Sequence, residues 1–175
     1  MSRLHGVRRL GVDGIRIRLS TRERDALRML PGQILPVLTG DHELGALGTP
    51  IRERLFPPAY ANDPLADLEF REMVGDGIVD ARANAFRIFS RTLDRGVARR
   101  LVWTIDLNPD EAAAWLSAIN DARLTLAMIV GIRSEDEWQR GLDPQDPRSV
   151  MLYYLGWLEE ELVTALMGGL KKPAE

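Results

Sequence analysis

The chain has no cysteine, and this is its strongest constraint. With no disulfide and no thiolate-held metal to staple it, the 175 residues must be held by apolar burial. A chain of that length buries about 70% of its unfolded surface, enough for one core. Hydrophobic residues make up 45% and charged residues 28%, the balance of a folded protein and not of a disordered one. We expect a single globular domain over 1–170 and a short tail at 171–175. No apolar run approaches the roughly 20 residues that cross a bilayer, and no hydrophobic stretch follows Arg3 near the start. The expected setting is the cytoplasm, without membrane contact.

The same composition removes much of catalytic chemistry. A cysteine nucleophile and a thiol redox switch are impossible, and a Ser-His-Asp relay would have to use one of only two histidines. His5 lies among the first residues and His42 in the loop Gly40-Asp41-His42-Glu43-Leu44-Gly45; neither is a rigid mount. Gly11-x-x-Gly14 and Gly45-x-x-Gly48 lack the Gly-Lys-Ser/Thr context of a phosphate loop. The acids around Trp138 lack the tight, glycine-centred spacing of a calcium loop. These readings predict no enzyme, no metal and no cofactor.

Periodicity outlines the fold. Val7-Arg8-Arg9-Leu10 and Ile15-Arg16-Ile17-Arg18-Leu19 flank Gly11-Val12-Asp13-Gly14, a hairpin pattern in which Ile15, Ile17 and Leu19 share one face and Arg16 and Arg18 the other. Ser20-Thr21-Arg22-Glu23 reads as a capping box opening a helix to Leu30, and Pro31-Gly32 should kink or interrupt it before Ile34–Leu38. A loop at 39–50 and a short helix Ile51–Phe56 follow. Asp63-Pro64 starts a helix with Leu65, Leu68 and Phe70 inward, which Gly75-Asp76-Gly77 should break before a second helix from Ile78 to Leu93. Leu101–Leu107 alternates as a third strand, and Asn108-Pro109 opens a long helix to about Gly131. An acidic loop spans 134–147. The last helix, Arg148 to Met167, carries Met151, Leu155, Leu158, Leu162 and Leu166 inward, with Glu159-Glu160-Glu161 in water. The expected class is α+β, mainly α: about five helices packed with a small three-stranded antiparallel sheet.

Charge is segregated along the chain. Residues 1–24 carry seven arginines against two acids, while 134–147 carry five acids against Arg140. Arg8, Arg9, Arg16, Arg18 and Arg22 are the candidate partner-binding residues. They suit an acidic protein surface or duplex phosphates, or they form a merely solvated strand face. No aromatics interleave with them, so single-strand stacking lacks its platform. Trp138, in the acidic loop, either folds onto the body or anchors a partner. Tyr153, Tyr154 and Trp157 crowd one side of the last helix, where a homodimer contact is an alternative to core and rim.

Two stretches carry a resemblance. Arg54-Leu55-Phe56-Pro57-Pro58-Ala59-Tyr60-Ala61-Asn62-Asp63-Pro64, continuing to Glu69-Phe70-Arg71, is similar to the Leu-Phe-Pro…Ala-Tyr…Asp-Pro…Glu-Phe-Arg segment of a family from high-GC Gram-positive bacteria, encoded close to the protease adaptor ClpS. Trp115-Leu116 with Asn120-Asp121-Ala122-Arg123-Leu124 resembles its Trp-Leu…Asn-Asp-x-Arg-Leu helix; Asp13-Gly14-Ile15-Arg16 and Tyr154…Trp157-Leu158 agree in order. This is the AosR-like family of oxidative-stress regulators. The resemblance implies a transcriptional regulator that works by contact with a protein partner such as a sigma factor or RNA polymerase. The family's redox response is assigned to a cysteine pair that this chain lacks, so a thiol switch is excluded. Direct duplex-DNA binding through the arginine face is the alternative reading. Arg123 is expected to pair with an acidic neighbour and join two elements.

Overall fold

The computed structural model describes residues 5–11, 14–40, 47–139 and 141–168. The chain opens with the expected hairpin, β1 (Gly6–Leu10) and β2 (Gly14–Ser20), paired antiparallel with Val7 opposite Ile17 and Arg8 opposite Arg16. Gly11 takes the left-handed conformation at φ +57° that leads into the turn; Val12 and Asp13, like the His42 loop at 41–46 and the tail at 171–175, lie outside the described residues. Helices α1 (Thr21–Arg28) and α2 (Leu30–Thr39) follow. The Ser20 side chain accepts from Glu23 N–H and the Glu23 carboxylate accepts from Ser20 N–H, so the capping box is complete. The helix breaks at Met29, and Pro31-Gly32 sits in the first turn of α2, where a missing N–H costs nothing.

Helix α3 (Gly48–Leu55) starts inside the stretch expected as loop. Helix α4 (Pro64–Arg95) then runs 32 residues straight through Gly75-Asp76-Gly77, correcting the expected break. Glycine costs about 1 kcal/mol in a helix but removes no hydrogen bond, and both ends of α4 are secured. At its start Asp63 accepts from Ala66 N–H, and Asp67 accepts from the N–H groups of Ala59 (2.7 Å) and Tyr60 (3.4 Å) and from Arg71 (2.7 Å). The Arg71 guanidinium holds the Asp67 carboxyl below the usual range. Toward its end Phe86, Phe89 and Leu93 enter the core. The first half runs past that core, so Leu65 (67% exposed) and Leu68 (54%) do not point inward as expected, and Phe70 is half-buried, edge-on to Tyr60.

Strands β3 (Val97–Arg99) and β4 (Val102–Leu107) form a second hairpin, giving a four-stranded antiparallel sheet in the order β1-β2-β4-β3 instead of three strands. Helix α5 (Pro109–Ile129) has its own capping box, Asn108 with Glu111. The acidic segment contains one helical turn, α6 (Glu135–Gln139), which Ser134 and Glu137 cap reciprocally. Helix α7 (Pro147–Met167) ends the described chain. Six helices of eight residues or more thus stand, with this short turn, where about five were expected; the class is α+β and mainly helical.

The core lies between the inner sheet face and the helices. Ile15, Ile17 and Leu19 pair in register with Leu107, Ile105 and Trp103, all buried. Trp103 stacks on Trp115 with ring centroids 6.2 Å apart, and Trp115 Nε1 donates to Thr92 Oγ1 at 2.7 Å. Arg123 meets Glu159 at 2.7 Å, joining α5 to α7 as expected. The Val7 N–H donates to Glu161 at 3.4 Å, so of the three consecutive glutamates only Glu160 is fully in water.

Candidate functional site

The pleat that sends Ile15, Ile17 and Leu19 inward sends Arg16 and Arg18 outward, and the pairing register adds Arg8, Asp106 and Thr104 to the same outer face. Two basic residues join from elements that follow the first hairpin: Arg95 from the end of α4 and Arg99 from β3. Together they line a concavity of about 770 Å³ floored by Val97, Val102 and Thr104. Five arginines and one carboxylate face it.

These arginines divide into two groups. Arg16 meets both Asp106 oxygens at 2.5 Å, and this pairing holds the Asp106 carboxyl below its usual range. Arg95 donates to both Glu111 oxygens at 2.6 and 2.8 Å and to the Asp106 carbonyl at 3.0 Å, tying α4 to the cap of α5 and lowering the Glu111 carboxyl likewise. Arg8, Arg18 and Arg99 make no side-chain hydrogen bond or ion pair among the described residues. They come from three strands and converge on one hollow. Free guanidinium forks held by a paired, rigid frame are an anion-binding arrangement for carboxylates or phosphates.

The other candidate residues lie elsewhere. Arg9 is on the opposite face of β1 from Arg8, its Nε donating to the Gly11 carbonyl at 2.8 Å. Arg22 is exposed in the first turn of α1 and does not line the hollow. Trp138 sits on α6, tilted against Tyr153 at 5.4 Å between centroids, and is 38% exposed. It is both laid on the body and open to solvent. Arg95 and Arg99 are the residues that sequence reasoning missed; Arg99 would have followed from placing a strand before Leu101. Among the described residues no group of acids and histidines is arranged to hold a metal ion, and no helix is long and apolar enough to cross a membrane.

Asp121, on α5, pairs with Arg82 of α4. Its side chain is only 2% exposed, Oδ2 lacks a partner, and burial pushes its carboxyl up to about 6 despite the neighbouring cation. The Arg82 guanidinium lies 5.0 Å over the Phe56 ring, and Arg52 lies 5.4 Å from it. Phe56 and Asp121 belong to the two resembling stretches, and in the fold they join α3, α4 and α5.

Fold and surface together define a mainly helical α+β protein with an arginine-lined hollow on an open sheet face. The chain belongs to the family described as a domain of unknown function (DUF2017), whose family model matches residues 5–166. No curated protein and no solved structure matches it.

Proposed function

We propose that this chain is a cytoplasmic regulatory protein of the AosR-like kind, acting in transcription or the stress response by binding a protein partner and not by catalysis. The partner's acidic segment docks in the hollow over the sheet, carboxylates meeting Arg8, Arg18 and Arg99. The observation that supports this reading is the convergence of three guanidinium groups that make no hydrogen bond or ion pair among the described residues, with Arg8 near enough to Asp106 to feel its charge, beside Arg16 and Arg95, which are paired. The resemblance of the Leu-Phe-Pro and Asn-Asp-x-Arg-Leu stretches suggests a sigma factor or RNA polymerase as the source of that segment. Without cysteine, the signal reaches the complex by some route other than thiol oxidation.

Three unpaired arginines gathered in one hollow suit a short acidic segment better than a duplex, which needs cations spread along a long footprint. The test is affinity capture from native lysate with wild type and with a double Arg18→Glu, Arg99→Glu variant. Recovery of a sigma factor or polymerase subunits by wild type alone is expected. Equal recovery by both proteins would overturn the surface assignment. A steep fall of affinity for duplex DNA with salt, lost in the same variant, would favour direct DNA binding.

A further inference from the structure

Helix α5 ends in a turn that folds the chain back over its last residues. Gly131 takes the left-handed conformation at φ +87°, its N–H donating to the Met128 carbonyl at 3.2 Å and the Ile132 N–H to the Ala127 carbonyl at 2.7 Å. Glycine permits this ending, and it brings Ile132 back to Ala127. The Glu137 carboxylate then accepts from the N–H groups of Arg133 and Ser134, and the Glu137 N–H donates to Ser134 Oγ at 3.3 Å. The link from α5 to α6 is thus fixed at both ends.

This link, with α3, α5 and α7, encloses a cleft of about 380 Å³. Leu124, Met128, Ile132 and Leu152 give it an apolar floor, and Met128 and Leu152 are buried. Trp138, braced by Tyr153 at 5.4 Å between ring centroids, supplies a planar surface beside that floor. Arg54 from the end of α3, Arg123 from α5 and Arg133 from the link complete the lining. Among the described residues no carboxylate lines the cleft. Arg123 is matched by Glu159 at 2.7 Å, and Glu137 is engaged in the cap. Arg54 and Arg133 make no side-chain hydrogen bond or ion pair among the described residues.

An apolar floor beside two unpaired arginines is the arrangement that recognises an apolar body carrying an acid group. The cleft falls at the small end of ligand pockets, roughly 300–1,000 Å³, so it admits a small molecule and not a helix or a duplex. We propose that this cleft binds a small amphiphilic anion, a planar apolar body with one carboxylate or phosphate, its acid group held by Arg54 and Arg133 and its body laid between Trp138 and the apolar floor. The site is separate from the arginine hollow over the sheet, and its assignment does not rest on the reading of that hollow.

The test offers the full chain three probes that share one ring system: 2-naphthoate, 2-naphthyl phosphate and the neutral 2-naphthamide. Calorimetry should show binding of an acid, with the amide about tenfold weaker, and the tighter of the two acids names the preferred group. Nitrogen-edited NMR should show the Trp138 indole N–H shifting on binding, its signal assigned through Trp138→Phe. Arg54→Gln and Arg133→Gln alter exposed, unpaired side chains and should melt as wild type does. Each should weaken the acid about tenfold, while Arg18→Glu leaves its affinity unchanged. Equal affinity for acid and amide, full affinity in both glutamine variants, or no binding of either acid at millimolar concentration would overturn the proposal. Loss of binding in Arg18→Glu would do the same by placing the anion in the hollow over the sheet. So would an acidic peptide that binds more tightly than either acid and is lost with Arg133→Gln, because the cleft would then belong to a protein partner.

Discussion

Gly96 lies against the indole of Trp103 with no room for a side chain: a Cβ there would stand 2.2 Å from two ring carbons and 2.4 Å from the ring nitrogen. The backbone of Gly96, at φ −63° and ψ 154°, is open to any residue, so glycine is required by contact and not by conformation. Trp103 cannot retreat, because it is fully buried and stacked on Trp115. Gly96→Ala should lower the unfolding free energy by about 3 kcal/mol through overpacking, measured by urea denaturation. Trp103→Phe should cost less in the Gly96→Ala background than in wild type, giving a coupling energy that a double-mutant cycle reads. Additive costs would mean that the two positions do not press on each other.

The Asp121–Arg82 pair makes stability depend on pH in a direction opposite to most surface ion pairs. The buried carboxyl sits at about 6 in the folded chain, against about 4 when unfolded. Between these values the native state holds the extra proton, so the stability Asp121 contributes is present below about pH 4 and is lost as pH rises through about 6. Asp121→Asn should flatten the stability profile across that window relative to wild type. Arg82→Ala leaves an ionised carboxylate without its partner and should cost about 3 kcal/mol at pH 8, with a smaller loss at pH 5, where the proton relieves the charge. Equal losses at the two pH values would show that Asp121 is ionised throughout.

Local signals were legible in the sequence and long-range ones were not. The first hairpin and the Ser20–Glu23 box were readable because each is closed by residues a few positions apart. Strand β3 was not, because it is three residues long and its turn uses Arg100 at φ +56° where glycine or asparagine would announce a hairpin. Half the hollow followed from alternation on β2, which sets Arg16 and Arg18 outward. The same rule forbids Arg8 and Arg9 from sharing a face, and only Arg8 reaches the hollow. That Arg16 is matched and Arg18 free depends on Asp106, 90 residues away in sequence, and no local pattern carries it.

The arginine face should therefore respond unevenly to substitution. Arg8 lies directly opposite Arg16 across β1 and β2, but Arg16 is matched by Asp106, whose carboxylate also attracts Arg8, so repulsion and attraction offset each other. Arg8→Thr should therefore leave the stability within about 0.5 kcal/mol of wild type at every salt concentration. Arg16→Ala, which strands Asp106, should destabilise the fold, and less so in high salt. Melts of both variants across a salt series read the difference; a loss of stability in Arg8→Thr would show that Arg8 supports the sheet and is not held for a ligand.

Helix α4 offers the sharpest check on the fold, because Gly75 and Gly77 lie where the sequence alone predicts an end. Both are helical, and a Cβ at either would meet nothing within 4 Å. Alanine therefore fits, and by narrowing the unfolded ensemble it should stabilise the helix by about 0.5–1 kcal/mol at each position. This half of α4 has no buried residue, so the gain belongs to local opening more than to global unfolding. Amide hydrogen exchange is the suitable readout, with slower exchange expected across Met73–Val79 in Gly75→Ala and Gly77→Ala and little change at Phe86–Leu93. Faster exchange there in either variant would mean that the chain bends at these glycines in solution and that α4 is two helices.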